Sequence, residues 1–104
     1  MSDIFRFDAG ETIAVIGLGR SGLASLEVLR DNGVTLYATD DKAPEELRDA
    51  IAAAESLGAR FVDAQGLESI LAELTCAVLS PGVPPTSPIV RAMHQADIPV
   101  IGEI

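Results

Sequence analysis

The sequence predicts an α/β fold, with five parallel strands in one sheet and helices on both faces. Three observations predict it. Short aliphatic runs alternate with longer segments whose apolar residues recur every three or four positions, the patterns of a buried strand and of an amphipathic helix. The resulting order, βαβαβαβαβ, joins strands only through helices, which calls for a parallel sheet with right-handed crossovers. The first aliphatic run also passes directly into a glycine turn, Gly17-Leu18-Gly19-Arg20-Ser21-Gly22, that opens a helix.

Taken in order, a short leader runs to Glu11 and the first strand is predicted at Thr12–Ile16. The helix after the glycine turn has a face of Leu23, Leu26 and Leu29, with Ala24 and Val28 beside them, and Asn32-Gly33 supplies its stop. A second strand is predicted at residues 34–39. The next helix opens at Pro44-Glu45-Glu46, where proline suits the first turn and the acids face the positive end of the helix dipole. Its buried stripe is Leu47, Ala50, Ile51, Ala54 and Leu57, and Gly58 ends it. A strand at residues 60–62 precedes a shorter helix with Leu67, Ile70, Leu71 and Leu74 inward. The strand Cys76–Leu79 follows, then a helix from Ser87-Pro88 to Ala96 that buries Ile89, Ala92, Met93 and Ala96, and a last strand at residues 99–101.

A chain of 104 residues suits one domain that buries roughly two-thirds of its unfolded surface. Apolar residues at 48% against 22% charged indicate a folded chain, and 4% aromatics point to an aliphatic core. The net charge of −9 argues against binding nucleic acid or an anionic membrane. No run approaches the roughly 18 apolar residues of a membrane helix, and the first residues lack a signal-peptide pattern, so neither export nor membrane insertion is expected. The single cysteine, Cys76, excludes an internal disulfide, reads as a buried small hydrophobe and fits a reducing, cytoplasmic setting. His94 is the only histidine and falls on a helix surface, so no metal site is expected. There is no nucleophile-base pair and no Gly-x-x-x-x-Gly-Lys-Ser/Thr loop. The chain reads as one that binds and does not catalyse alone.

The glycine turn carries the binding chemistry. Gly17, Gly19 and Gly22 have the spacing that permits a tight turn, close backbone approach to a pyrophosphate, and helix-to-strand packing, while the helix start offers its N–H groups to an anion. Asp40 lies eighteen residues after Gly22, at the end of the second strand, where an acid receives a ribose hydroxyl in dinucleotide-binding sheets. Without a ligand, Asp40-Asp41-Lys42 would be a solvated turn. The stiff loop Ser80-Pro81-Gly82-Val83-Pro84-Pro85-Thr86-Ser87-Pro88 holds four of the six prolines. In a Rossmann-like sheet of order 3-2-1-4-5, strands one and four are neighbours at the topological switch point, so this loop should flank the glycine turn. Arg20 and Lys42 are the two bases this topology brings to the carboxyl edge of the sheet, whereas Arg30, Arg48, Arg60 and Arg91 are expected to face solvent. Because the Debye length is about 8 Å at physiological salt, a diphosphate at the Arg20 and Ser21 amides should feel the helix end more than the distant acids. A nucleoside diphosphate fits this pattern. So does NAD in a small regulatory or redox module, since Gly17, Gly19, Gly22 and Asp40 satisfy that fingerprint too.

The conjunction of Ile16-Gly17-Leu18-Gly19-Arg20-Ser21-Gly22-Leu23, Asp40, Ser80-Pro81-Gly82-Val83 and the closing Ile98-Pro99-Val100-Ile101-Gly102-Glu103-Ile104 resembles one family over nearly the whole chain. That family is the N-terminal domain of the UDP-N-acetylmuramoyl-L-alanine:D-glutamate ligases (MurD) of the Mur ligase family. The sister ligases that add L-alanine have a differently spaced glycine turn. The resemblance implies that residues 1–104 are a single UDP-substrate-binding domain of a larger peptidoglycan-synthesis ligase. In that family a central domain binds ATP and magnesium and a third domain closes over both, so this chain needs no cofactor of its own and is expected to be inactive alone. The complete enzyme would activate the terminal carboxylate of UDP-N-acetylmuramoyl-L-alanine as an acyl phosphate for attack by the D-glutamate amine. The family's diphosphate turn falls on Gly17, Gly19, Arg20, Ser21 and Gly22, its uracil-side segment on Asp40, Asp41 and Lys42, and the second wall of the pocket on Ser80 and Gly82. Asp41-Lys42 departs from the hydroxyl residue and arginine that many members carry there.

Overall fold

Strand β1 (Thr12–Ile16) is the middle of the sheet, and its sequence says why: Ile13, Ala14, Val15 and Ile16 are all fully buried, so both faces of the strand must be covered. In this computed structural model, which describes residues 10–84 and 86–102, β1 pairs in parallel with β2 (Thr35–Thr39) on one side and β4 (Cys76–Leu79) on the other. The leader before Gly10, Pro85 and the Glu103-Ile104 end of the closing segment lie outside the described residues. Strand β3 (Ala59–Phe61) adds outside β2, and β5 (Val100–Gly102) outside β4, giving the parallel order β3-β2-β1-β4-β5. This is the predicted Rossmann-like sheet.

The strand period of two sorts the core into two layers. Ile13 and Val15 pack with Leu26 and Leu29 of α1 (Arg20–Leu29) and Ala54 of α2 (Arg48–Ser56). Ala14 and Ile16 pack on the opposite face with Leu67 and Ile70 of α3 (Ala64–Ile70) and Ile89, Val90 and Met93 of α4 (Pro88–Gln95). Helices α1 and α2 therefore cover one face and α3 and α4 the other. The chain reverses its winding between β1 and β4, and the loops after those strands part to opposite faces, opening a crevice at their carboxyl ends.

Several expectations are corrected in detail. Strands β2, β3 and β5 begin one residue away from the predicted positions, at Thr35, Ala59 and Val100 instead of Val34, Arg60 and Pro99. On α1, Ala24 and Val28 are exposed, Val28 at 48%, because the face laid on the sheet is Gly22, Ser25, Leu26 and Leu29. The small residues Gly22 and Ser25 let the helix axis approach the strands closely. The segment at Pro44 is not continuous with α2: Pro44–Glu46 forms a 3-10 turn closed by the Leu47 N–H donating to the Pro44 carbonyl at 3.0 Å. Leu47 then leaves helical geometry (φ −117°, ψ 17°) and buries its side chain before α2 begins. Helix α3 tightens into a 3-10 turn, Leu71–Glu73, leaving Leu71 and Leu74 half-buried against the second layer. On α4 the inward position taken for Ala96 belongs to Val90; Ala96 is exposed at the helix end.

Helix ends follow the glycine signals. Gly33 (φ 72°) and Gly58 (φ 90°) take the left-handed conformation after α1 and α2. Helix α4 stops without one. Asp97 adopts φ 59°, the Ile98 N–H donates to the Met93 carbonyl at 2.9 Å, and the Asp97 N–H donates to the His94 carbonyl at 3.1 Å. This is a Schellman stop with an aspartate in the glycine position.

Candidate functional site

The crevice between β1 and β4 is built by three loops, and each is held by a specific bond. After β1 the chain turns at Gly17 (φ 95°), whose N–H donates to the Thr39 carbonyl at 2.8 Å and so extends the β1–β2 ladder by one bond. A side chain at Gly17 would be strained by that φ, and its Cβ, 2.6 Å from Val83 Cγ2 and 3.1 Å from Ser80 Cβ, would force the proline-rich loop to shift. Gly22, in the first turn of α1, is constrained by backbone instead, since its Cβ would stand 1.8 Å from the Gly17 carbonyl oxygen. Gly19 differs from both. It has extended backbone (φ −76°, ψ −169°) that any residue adopts, and a Cβ there meets nothing within 4 Å. Two glycines are thus required by the fold, and the third leaves open space over the N-terminus of α1.

Asp40 fastens the second loop. Its Oδ2 accepts the Leu18 N–H at 2.8 Å, and its Oδ1 accepts the Lys42 N–H at 2.9 Å, an Asx turn that folds the chain back after β2. The acid expected to receive a ribose hydroxyl therefore ties the β2 loop to the glycine turn. Ser80 fastens the third loop. It is 6% exposed and donates its hydroxyl to the Gly17 carbonyl at 3.0 Å, while its own N–H donates to the Ile16 carbonyl at 3.0 Å. Beyond Ser80 the proline-rich loop runs as two turns, closed by the Val83 N–H on the Ser80 carbonyl and the Ser87 N–H on the Pro84 carbonyl.

Together the loops enclose an open cleft of about 430 Å³. Gly17, Gly19, Arg20 and Ser21 form its floor, Asp40, Asp41 and Lys42 one wall, and Ser80, Gly82, Val83 and Pro84 the other. Of the site residues expected from sequence, Gly22 alone lies off the surface of the cleft, where it lets α1 pack against the turn. Sequence reasoning missed Val83 and Pro84, for which the signal was membership of the stiff loop. It also missed Ser87, whose Ser-Pro pair marks a helix start but not what the hydroxyl reaches.

The charges around the cleft are few. Arg20 and Lys42 are exposed, and among the described residues the one ion pair joins Arg30 and Asp31 at 3.9 Å, so both cleft bases remain available. The N-cap of helix α1 is Gly19, which has no side chain, so among the described residues no N-cap side chain takes up the first-turn N–H groups beside the cleft. A larger groove, about 610 Å³, lies beside edge strand β3 between Tyr37, Arg60 and Glu73, away from the glycine turn. Among the described residues no group of three or more His, Cys, Asp or Glu side chains is placed to hold a metal ion, and no helix is long and apolar enough to cross a membrane. Cys76 is buried in the α1–α2 layer, and burial pushes its thiol up to about 11, with the charge of Glu11 adding to the effect. It is a packing residue.

Comparison with known proteins matches the chain to one family. The family model described as the Mur ligase MurD-like N-terminal domain matches residues 11–102. A UDP-N-acetylmuramoylalanine--D-glutamate ligase of Nitrobacter winogradskyi is 41% identical over 100 residues, covering 92% of this chain and 20% of the relative. The ligases of the same name from Sphingopyxis alaskensis and Myxococcus xanthus are 43% and 33% identical, each over 92% of this chain and 21% of their own length. The chain thus spans about a fifth of the length of these curated relatives. Among solved structures, the apo-structure of D-lactate dehydrogenase from Escherichia coli aligns with a TM-score of 0.64 at 27% identity, over 90% of this chain and 28% of that one. The eIF2B beta structure from Chaetomium thermophilum aligns with a TM-score of 0.59 at 12% identity, over 92% and 36%. Proteins of such different names share the sheet, so its shape alone does not choose a ligand.

Proposed function

This chain belongs to the Mur ligase MurD-like N-terminal domain family, and from that membership we propose that it binds the UDP part of UDP-N-acetylmuramoyl-L-alanine. The observation that carries the reading is Gly19: a glycine that neither backbone strain nor packing requires, standing over the uncapped start of α1. That combination leaves room for a diphosphate to approach the Arg20 and Ser21 amides, where the helix dipole and backbone N–H groups attract negative charge. Arg20 and Lys42 supply the neighbouring positive charge. Residues of the β2 loop, Asp41 and Lys42, then face the nucleoside end, and Gly82 with Pro84 forms the facing wall. This chain's own part in the reaction is to hold and orient the nucleotide substrate.

In the complete protein this reading implies an ATP-dependent ligase that adds D-glutamate to the substrate carboxylate in peptidoglycan synthesis. ATP and magnesium belong to the central domain of such an enzyme. On this reading the chain by itself is inactive as a ligase, and its partners are the central and C-terminal domains. A cytoplasmic location follows from the same reading.

The alternative is a small NAD-binding regulatory or redox module, favoured by the placing of Asp40 beside the glycine turn at the end of β2. Calorimetric titration with UDP and NADH separates the two. UDP is expected to bind and NADH at equal concentration not to displace it. Binding of NADH with no heat from UDP would overturn the ligase reading.

A further inference from the structure

The three loops around the cleft are joined to one another in a closed ring, and Ser87 makes the closing contact. Asp40 ties the β2 loop to the glycine turn through Leu18, and Ser80 ties the proline-rich loop to the same turn through Gly17. The third side of the triangle is a hydrogen bond from the Ser87 hydroxyl to Asp41 Oδ2, between residues 46 apart in sequence. Ser87 does not line the cleft and is 2% exposed. We propose that Ser87 is a positioning residue: by donating to Asp41 it fixes the β2 loop against the proline-rich loop and holds the cleft at the width its nucleotide needs.

The chemistry of one hydroxyl suffices for this. A serine oxygen donates one proton and accepts on its lone pairs. Here the lone pair takes the Val90 N–H at 3.4 Å, capping α4, and the proton goes to Asp41. The Asx turn at Asp40 folds the backbone so that the next residue, Asp41, reaches across the sheet end. Ser87 in turn is held by the rigid start of α4, where Pro88 takes the first position and the Ser87 carbonyl accepts the Arg91 N–H at 3.0 Å. Among the described residues, the other hydrogen bonds that tie the walls carrying Lys42 and Gly82 run through the glycine turn between them, so the Ser87–Asp41 bond is the direct link. A preformed cleft spares a ligand the cost of ordering those loops, so loosening it weakens binding even though Ser87 touches no ligand.

The proposal rests on the UDP reading for the identity of its ligand, and two substitutions separate the latch from the helix cap. Ser87→Asp keeps a good cap for α4 but cannot donate and sets a second carboxylate against Asp41. Ser87→Asn also caps, and its amide N–H group can still reach Asp41. In the ligand-free chain, Ser87→Asp is expected to speed amide hydrogen exchange at Lys42 about tenfold while leaving Arg91 in α4 unchanged, and to weaken UDP about tenfold in calorimetry, as suits loss of a charge-assisted bond. Ser87→Asn is expected to restore both. Wild-type exchange and affinity in Ser87→Asp would overturn the proposal, as would Ser87→Asn behaving like Ser87→Asp, or faster exchange at Lys42 with unaltered affinity. If the wild-type chain fails to bind UDP at millimolar concentration, the functional reading falls instead, and the Lys42 exchange pattern alone decides the latch.

Discussion

A Cβ on Gly22 would stand 1.8 Å from the carbonyl oxygen of Gly17, so the first turn of α1 is stacked directly on the turn that precedes it. Gly19, between the two, has no such neighbour. Alanine at Gly22 would gain roughly 0.5–1 kcal/mol of helix propensity and lose far more to the clash with backbone, which cannot swing aside. Gly22→Ala should therefore destabilise the chain by about 3 kcal/mol in urea denaturation. Gly19→Val should change stability by less than about 1 kcal/mol and abolish UDP binding, because its side chain occupies the open space above the α1 amides.

Thr39 is fully buried at the end of β2, and among the described residues its hydroxyl has no hydrogen-bond partner. A buried, unmade hydrogen bond costs about 1–3 kcal/mol, and valine has nearly the same shape without that cost. Thr39→Val should stabilise the chain by about 1 kcal/mol, read as a melting temperature raised by about 4–8 °C.

Asp97 carries the left-handed conformation that ends α4. That conformation costs an L-residue about 1–2 kcal/mol, and the greater chain entropy of glycine returns roughly 0.5–1 of it. Asp97→Gly should stabilise by about 0.5–1 kcal/mol, measurable as a shift of the urea midpoint with unchanged slope.

The Cys76 thiol is raised to about 11 by burial, with a smaller contribution from Glu11. Below pH 9 the thiol is protonated in folded and unfolded chains alike, and its contribution to stability is fully present. Between about pH 9 and about 11 the unfolded chain releases that proton and the folded chain does not, so stability falls as pH rises through this window. Cys76→Ala should flatten the fall when urea midpoints are compared across it.

Most of the fold was legible because its signals are local. The fully apolar run at Ile13-Ala14-Val15-Ile16 marks a strand buried on both faces, and Gly33 and Gly58 stop the helices expected to end there. Errors arose where position around a helix decides burial: Val28 is apolar but turned from the sheet, and Ser25 is polar but packed on it. Of the site, the residues forming the cleft were legible as glycine spacing plus a proline-rich loop brought alongside by sheet order. The bonds that hold it were not. Asp40 to Leu18, Ser80 to Gly17 and Ser87 to Asp41 join residues 22, 63 and 46 positions apart, and no local pattern encodes which side chain meets which.

The central claim, that the open space over Gly19 is a diphosphate site, is tested most directly by titrating the isotopically labelled chain with UDP and following its amide resonances. The account predicts saturable shifts concentrated at Gly19, Arg20, Ser21, Lys42 and Gly82, with residues of the β3 groove such as Arg60 and Ser69 unmoved. An unchanged spectrum at millimolar UDP, or shifts centred on that groove, would contradict it.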